Sequence, residues 1–204
     1  MRTMKLTIAA ALALGLAPLA PDAIAEGMHD HHHHRAMTSP QDGYVRTQAT
    51  YAIPNVKLLD SEGIGKPLHG WLAEKPVILN FIFTSCGAVC PVMSTTFSQV
   101  QDALGPERDA VRMVSISIDP EHDTPAALKA YAEKFGAGPQ WRMLTGSLEG
   151  SVTVQRAFNV YRGDKMNHQP ATFLRASPDQ PWVRLDGFAS AADILREYRQ
   201  LRAN

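Results

Sequence analysis

The sequence predicts a single α/β domain: a central mixed sheet flanked by helices. Three observations lead there. Two unbroken apolar runs, "VILNFIF" (77–83) and "VRMVSISI" (111–118), lack polar alternation, as strands buried on both faces do. Each is followed by a segment with helical features, and strand–helix alternation implies a parallel core. A late pair of strand-like runs, "ATFLRA" and "PWVRLDG", is joined by the turn "SPDQ" and adds an antiparallel portion.

The elements follow in order. Residues 1–25 read as a secretory signal peptide: Arg2 and Lys5 precede a short apolar core, Leu6 to Leu16, and Ala23-Ile24-Ala25 offers small residues for cleavage. The core is too short to span a bilayer comfortably, and Pro18 and Pro21 would break a helix there. Residues 26–47 have few large apolar side chains and no periodicity, so they are expected to be a disordered tail rich in His and Met. The folded domain is expected over 48–204. Within it "VKLLD" with "SEG" reads as a strand and turn. "MSTTFSQVQDAL" places Met93, Phe97, Val100 and Leu104 on one helical stripe, closed by Gly105-Pro106. "TPAALKAYAEKFG" is a helix with Thr124 at its N-cap, Pro125 at the first helical position and Gly136 past its end. "WRMLTG" reads as a short strand and "SLEGSVTVQRAFNVY" as a helix. The last helix starts at Ser190, with Asp193 placed for a capping box.

Charge excludes some functions. The 204-residue chain has 20 basic and 20 acidic residues; removing residues 1–25 takes away Arg2, Lys5 and Asp22 and leaves a net charge of −1. Neither nucleic acid nor an anionic membrane surface is an expected partner. No later segment is apolar and long enough for a membrane span, so the mature chain is expected to be periplasmic and soluble.

Both cysteines of the chain, Cys86 and Cys90, fall in "FTSCGAVCP", directly after a buried strand. A disulfide there would close a tiny loop, and a domain of this length needs no such staple. Pro91 fixes the start of the next helix and places Cys90 near its N-cap, with Gly87 letting the loop curl. The helix dipole at that end favours thiolates, which both metal binding and disulfide exchange require. A structural zinc site needs four ligands and no further cysteines exist. Copper(I) is soft and accepts two sulfurs plus one nitrogen. The nitrogen would come from an imidazole, and His69, His122 and His168 lie in the domain. His168, in the polar loop "GDKMNHQPATF", opens at one end of the sheet. Three intervening residues, where thioredoxins have two, favour the metal reading without excluding a thiol–disulfide redox couple.

In order and spacing, "FTSCGAVCP", "VSISIDPEHDTPAALKAYAEKFG", "WRMLTGS" and "NHQPATFL" resemble the successive signatures of the Sco (SenC) family, over about residues 50–200. The resemblance implies a thioredoxin-like fold and a copper chaperone acting in cytochrome c oxidase assembly. It implies copper, as Cu(I) or Cu(II), on Cys86, Cys90 and His168. Asp119 and Asp123 match the family's acidic segment, although a strand end and a helix N-terminus explain both carboxylates structurally. The sequence departs by having Gly87 where proline is common, and by reading as released where many members are tethered to the membrane. Pro170 has the place of the cis-proline that faces the cysteines of thioredoxin-fold oxidoreductases. The implied partners are a copper-receiving protein, such as an oxidase subunit, and a thiol reductant. The competing expectation is a reductase of a partner's cysteines, with Cys86 and Cys90 as its redox pair. The tail run "MHDHHHHRAM" (His29, His31 to His34, Met28, Met37) is expected to bind copper weakly.

Overall fold

The structure is a computed structural model and describes residues 43–203. The expectations for residues 1–42, the signal peptide and the histidine run among them, lie outside the described residues.

Eight strands form one sheet: β1 (Tyr44–Ala49), β2 (Lys57–Asp60), β3 (Gly65–Pro67), β4 (Val77–Ile82), β5 (Arg112–Ser117), β6 (Trp141–Thr145), β7 (Ala171–Arg175) and β8 (Trp182–Gly187). Their spatial order is β1-β8-β7-β4-β5-β6-β2-β3. β4, β5 and β6 run parallel, while β7 pairs antiparallel with β4 and β8 with β7. The helices are α1 (Leu68–Leu72), α2 (Val89–Leu104), α3 (Pro125–Lys134), α4 (Leu148–Ala157) and α5 (Ala191–Ala203). α2 packs on α5, α5 on β7, and α3 on β6. The mixed α/β sheet and its parallel core are as the sequence pattern predicts.

Local chemistry explains most boundaries. All six residues of β4 are buried, which accounts for its unbroken apolar run. Met93, Phe97, Val100 and Leu104 are all buried along α2, as their spacing requires. The helix ends at Gly105, whose φ of 51° suits a residue without Cβ. Thr124 accepts the Ala127 N–H at 3.2 Å and caps α3. Replacing it by Ala is expected to cost about 1 kcal/mol, measured by urea unfolding. Ser190 and Asp193 exchange hydrogen bonds at 3.1 and 3.2 Å, the capping box of α5. Phe81, Phe158, Phe173 and Trp182 stack edge-on at 5.3–5.8 Å in the core behind β4, where directional ring contacts add to area burial.

Three expectations are corrected. Residues 44–47 are not tail: β1 starts at Tyr44 and pairs with β8 from Tyr44↔Gly187 to Ala49↔Trp182. It is an edge strand of mostly exposed side chains, held by main-chain bonds and by Arg46–Glu197 at 2.7 Å. Its apolar pattern therefore carries no signal. Cys90 is not the N-cap: α2 starts at Val89, with Ala88 before it. Pro91 sits third in the helix, where a missing N–H costs nothing because first-turn N–H groups have no intrahelical acceptor. Gly87 is not needed for a special backbone, since its φ is not positive and an added Cβ would meet nothing within 4 Å. The sequence also gave no warning of β3 and α1, three and five residues long.

Candidate metal centre

Cys86 and Cys90 lie beyond the carboxyl end of β4, where ligands gather in open α/β sheets. The segment is anchored first. The Cys86 N–H donates to the Phe83 carbonyl at 3.2 Å. Fully buried Asp123 accepts from the Thr84 N–H at 3.1 Å, the Thr84 hydroxyl at 2.6 Å and the Ser117 hydroxyl at 2.6 Å. It thus ties the start of the cysteine segment to the end of β5. This supports the structural reading of Asp123, and it shows why a threonine stands two residues before Cys86, a signal the sequence offered and spacing alone did not decode.

The two sulfurs have opposite environments. Cys86 is half-buried, and the Cys90 N–H points at its Sγ from 3.4 Å. Partial burial works to raise this thiol, but the N–H groups of Cys90, Ala88 and Val89 and the Cys90 side chain outweigh it and hold the thiol below its ordinary value. Cys90 is fully buried, and burial pushes its thiol up to about 12, opposed by a hydrogen bond to the Phe83 backbone. The helix start stabilises a thiolate on Cys86 only.

His168 is buried, at 6% exposure. Its Nε2 lies 3.0 Å from the carbonyl oxygen of Phe81. The pairing of β4 with β7 ends at Asn80↔Thr172, one residue short of Phe81. The imidazole thus takes over a carbonyl at the end of the ladder on a buried strand. A carbonyl only accepts, so Nε2 carries the proton and the neutral ring keeps its lone pair on Nδ1. Burial holds the ring below its ordinary pKa; the Phe81 hydrogen bond opposes this, and Arg162 adds to it. This is the protonation state a metal ligand needs, with its second nitrogen fixed by a backbone acceptor. Among the described residues no group of three His, Cys, Asp or Glu side chains is assembled around a common point. The structure places the two thiols together and His168 at the same end of β4, tucked against its backbone.

A cleft of about 420 Å³ opens beside His168, lined among others by Asp119, His122, Arg162 and Lys165. Asp119 is buried and divides its oxygens between His122 Nδ1, at 3.0 Å, and Lys165 Nζ, at 2.5 Å. Burial would raise this carboxyl, but Lys165 and His122 outweigh it and hold it below its ordinary value. Lys165 also lies 5.7 Å from the centre of the Phe83 ring, and its carbonyl accepts the His168 N–H at 3.1 Å. It links the cysteine segment to the histidine loop, a role no motif announced. The peptide before Pro170 is trans, as are all those among the described residues, so Pro170 does not reproduce a cis-proline.

No helix among the described residues is long and apolar enough to cross a membrane. The sequence profile of the SCO1/SenC family matches residues 69–202. A SCO1 protein homolog of Bacillus subtilis is 36% identical over 83 residues, 40% of this chain and 40% of that protein. The chain therefore matches well under half the length of that relative. The solved structure of Bradyrhizobium japonicum ScoI with copper bound is 26% identical with a TM-score of 0.62, covering 74% of this chain and 99% of that one. That of BsSco, a member of the Sco family of cytochrome c oxidase assembly proteins in which a disulfide switch has been identified, is 25% identical with a TM-score of 0.64, covering 76% and 95%. Homologues of this chain thus bind copper on the same thioredoxin-like frame. The profile match across most of the domain, on this sheet order and with the cysteine pair at the end of β4, makes the chain a member of the SCO1/SenC family.

Proposed function

We propose that this protein is a periplasmic copper chaperone. Cys86 and Cys90, as thiolates, and His168, through Nδ1, hold one copper ion and pass it to a cuproprotein such as cytochrome c oxidase. The observation that carries this reading is the state of His168: buried, neutral, and fixed through Nε2 with Nδ1 left as a donor. Two soft sulfurs and one imidazole suit Cu(I). Copper is the cargo, so its ligands must also let go. The imidazole and the thiols are not gathered in advance, and binding the ion draws them together. A partner's ligands then displace them one at a time. Oxidation of the pair to a disulfide removes both thiolates and with them the copper site.

The test is anaerobic metal analysis of the reduced full chain. One copper per chain should survive a competing chelator. Further, weaker copper should vanish when the five tail histidines, His29 and His31 to His34, are replaced by Ala. A reduced chain that retains no copper overturns the chaperone reading.

A second reading has its own support. The asymmetry of a reactive Cys86 above a buried Cys90 is what a thiol–disulfide oxidoreductase uses. Cys86 would attack a partner's disulfide and release one partner thiolate. Cys90 would then displace the second, leaving the partner reduced by two electrons and this chain as a disulfide. Such a reductase has no use for His168, so a His168 variant separates the two readings.

A further inference from the structure

The geometry points to His122 as a second copper-binding position, on the cleft it shares with His168, where the ion is held on its way to or from the thiols. The inference rests on the copper reading above and adds a residue to it.

Four observations support it. First, His122 and His168 line the same cleft of about 420 Å³, within the size range of small-ligand sites. Second, the His122 side chain is 67% exposed, whereas His168 is buried. An ion arriving from solvent or from a partner meets His122 first. Third, His122 is oriented. Its Nδ1 lies 3.0 Å from Asp119 Oδ1, and Asp119 is itself only 6% exposed. A carboxylate accepts, so Nδ1–H donates and Nε2 is the nitrogen left for a metal. An imidazole whose other nitrogen is committed to a carboxylate is the usual arrangement of a metal-binding histidine. An idle surface histidine has no need of a buried partner. Fourth, Asp119 is fixed independently. Its N–H donates to the Ser117 hydroxyl at 3.0 Å, and Lys165 holds its second oxygen. The His122 N–H also donates to the Asp119 carbonyl, at 3.1 Å, so backbone and side chain are set by the same residue.

The charges fit a transient stop. On the cleft, the carboxylates of Asp119, Glu121 and Asp164 outnumber the cations Arg162 and Lys165, a balance that favours a bound cation. Two imidazoles give moderate affinity for copper, below that of a thiolate pair, so the downhill direction is inward. Transfer is ligand exchange. The Cu–N bond to His122 breaks as the Cu–S bonds form, His168 stays on the ion, the copper keeps its oxidation state, and the thiol protons leave to the buffer.

The experiment has two arms, both on the full chain with the five tail histidines replaced by Ala, so that the tail does not capture the metal. In the first, Cys86→Ser and Cys90→Ser are added and substoichiometric Cu(II) is titrated in. The imidazole resonances are read by NMR. Those of His122 and His168 should broaden together, while His69, which is not on the cleft, should not. In the second, the thiols are present and Cu(I) is supplied anaerobically on a competing chelator. Loading is followed by the absorption of the copper–thiolate bond. His122→Phe should slow loading by at least about tenfold. Broadening of His122 no greater than that of His69, or a loading rate unchanged by His122→Phe, overturns the inference. Failure of the copper reading itself looks different: the chain with its thiols then shows no copper–thiolate absorption at all, with or without His122.

Discussion

Replacing His168 by Gln should lower copper affinity by at least about a hundredfold while leaving the thiols in place. The choice of substitution matters. His168→Ala removes two things at once: the ligand, and the donor that satisfies the buried Phe81 carbonyl. A buried carbonyl left without a partner costs about 1–3 kcal/mol, so the Ala chain should lose stability as well as copper. A Gln side chain offers an amide N–H to the same carbonyl and no good copper ligand. Competition against a Cu(I) chelator, run beside urea unfolding of both variants, separates the two effects. The Gln chain should unfold close to wild type and still fail to retain copper. Wild-type affinity in the Gln chain would remove His168 from the ligand set and turn attention to the oxidoreductase reading.

The second large effect is in the thiols. Cys86 stands below the ordinary thiol value of 9.0 and Cys90 at about 12, so at neutral pH nearly all the thiolate of the pair is on Cys86. Reactivity gains from the thiolate fraction and loses about half of that, on a logarithmic scale, to the weaker nucleophilicity of a more acidic thiol. The gap exceeds about 3, so Cys86 should be at least about thirtyfold faster toward iodoacetamide, before the full burial of Cys90 is counted. Mass spectrometry of briefly alkylated, reduced chain should find the label on Cys86. The Cys86 rate should rise with pH and reach its half-maximum below pH 9, because the titrating group has a lowered pKa; the Cys90 rate should still be rising there. Equal labelling of both residues would show that burial and the helix start do not distinguish them. The asymmetry serves both proposed functions. A chaperone gains one ready thiolate that captures the ion, and the bound ion then drives the proton from Cys90.

Much of the fold was legible because its signals are local. β4 and β5 announce themselves through apolar runs, α2 through its stripe, and α3 and α5 through their caps. β1 was not legible, since an edge strand held by main-chain pairing needs no apolar side chains. Cys86, Cys90 and His168 could be named from motif order. The N-cap given to Cys90 was off by two positions, because a proline is tolerated anywhere in the first helical turn and does not mark one residue. The part played by Lys165 was invisible. Asp119, Phe83 and His168 are distant from one another in sequence, and a lysine in a polar loop carries no periodic signal.

Motif order nominated His168; by itself, the sequence determined the α/β class, the strand that leads into the cysteines and the closeness of the two thiols. These follow from residue type, spacing and turn chemistry, which act between near neighbours along the chain. The tertiary structure decided that one thiol is activated and the other suppressed, that His168 offers Nδ1, and that His122 is aimed by a buried carboxylate. Those properties depend on burial and on which backbone groups are left unpaired where β4, β5 and β7 end. Burial and pairing are set by elements far apart in the chain, and they exist only once the sheet has formed.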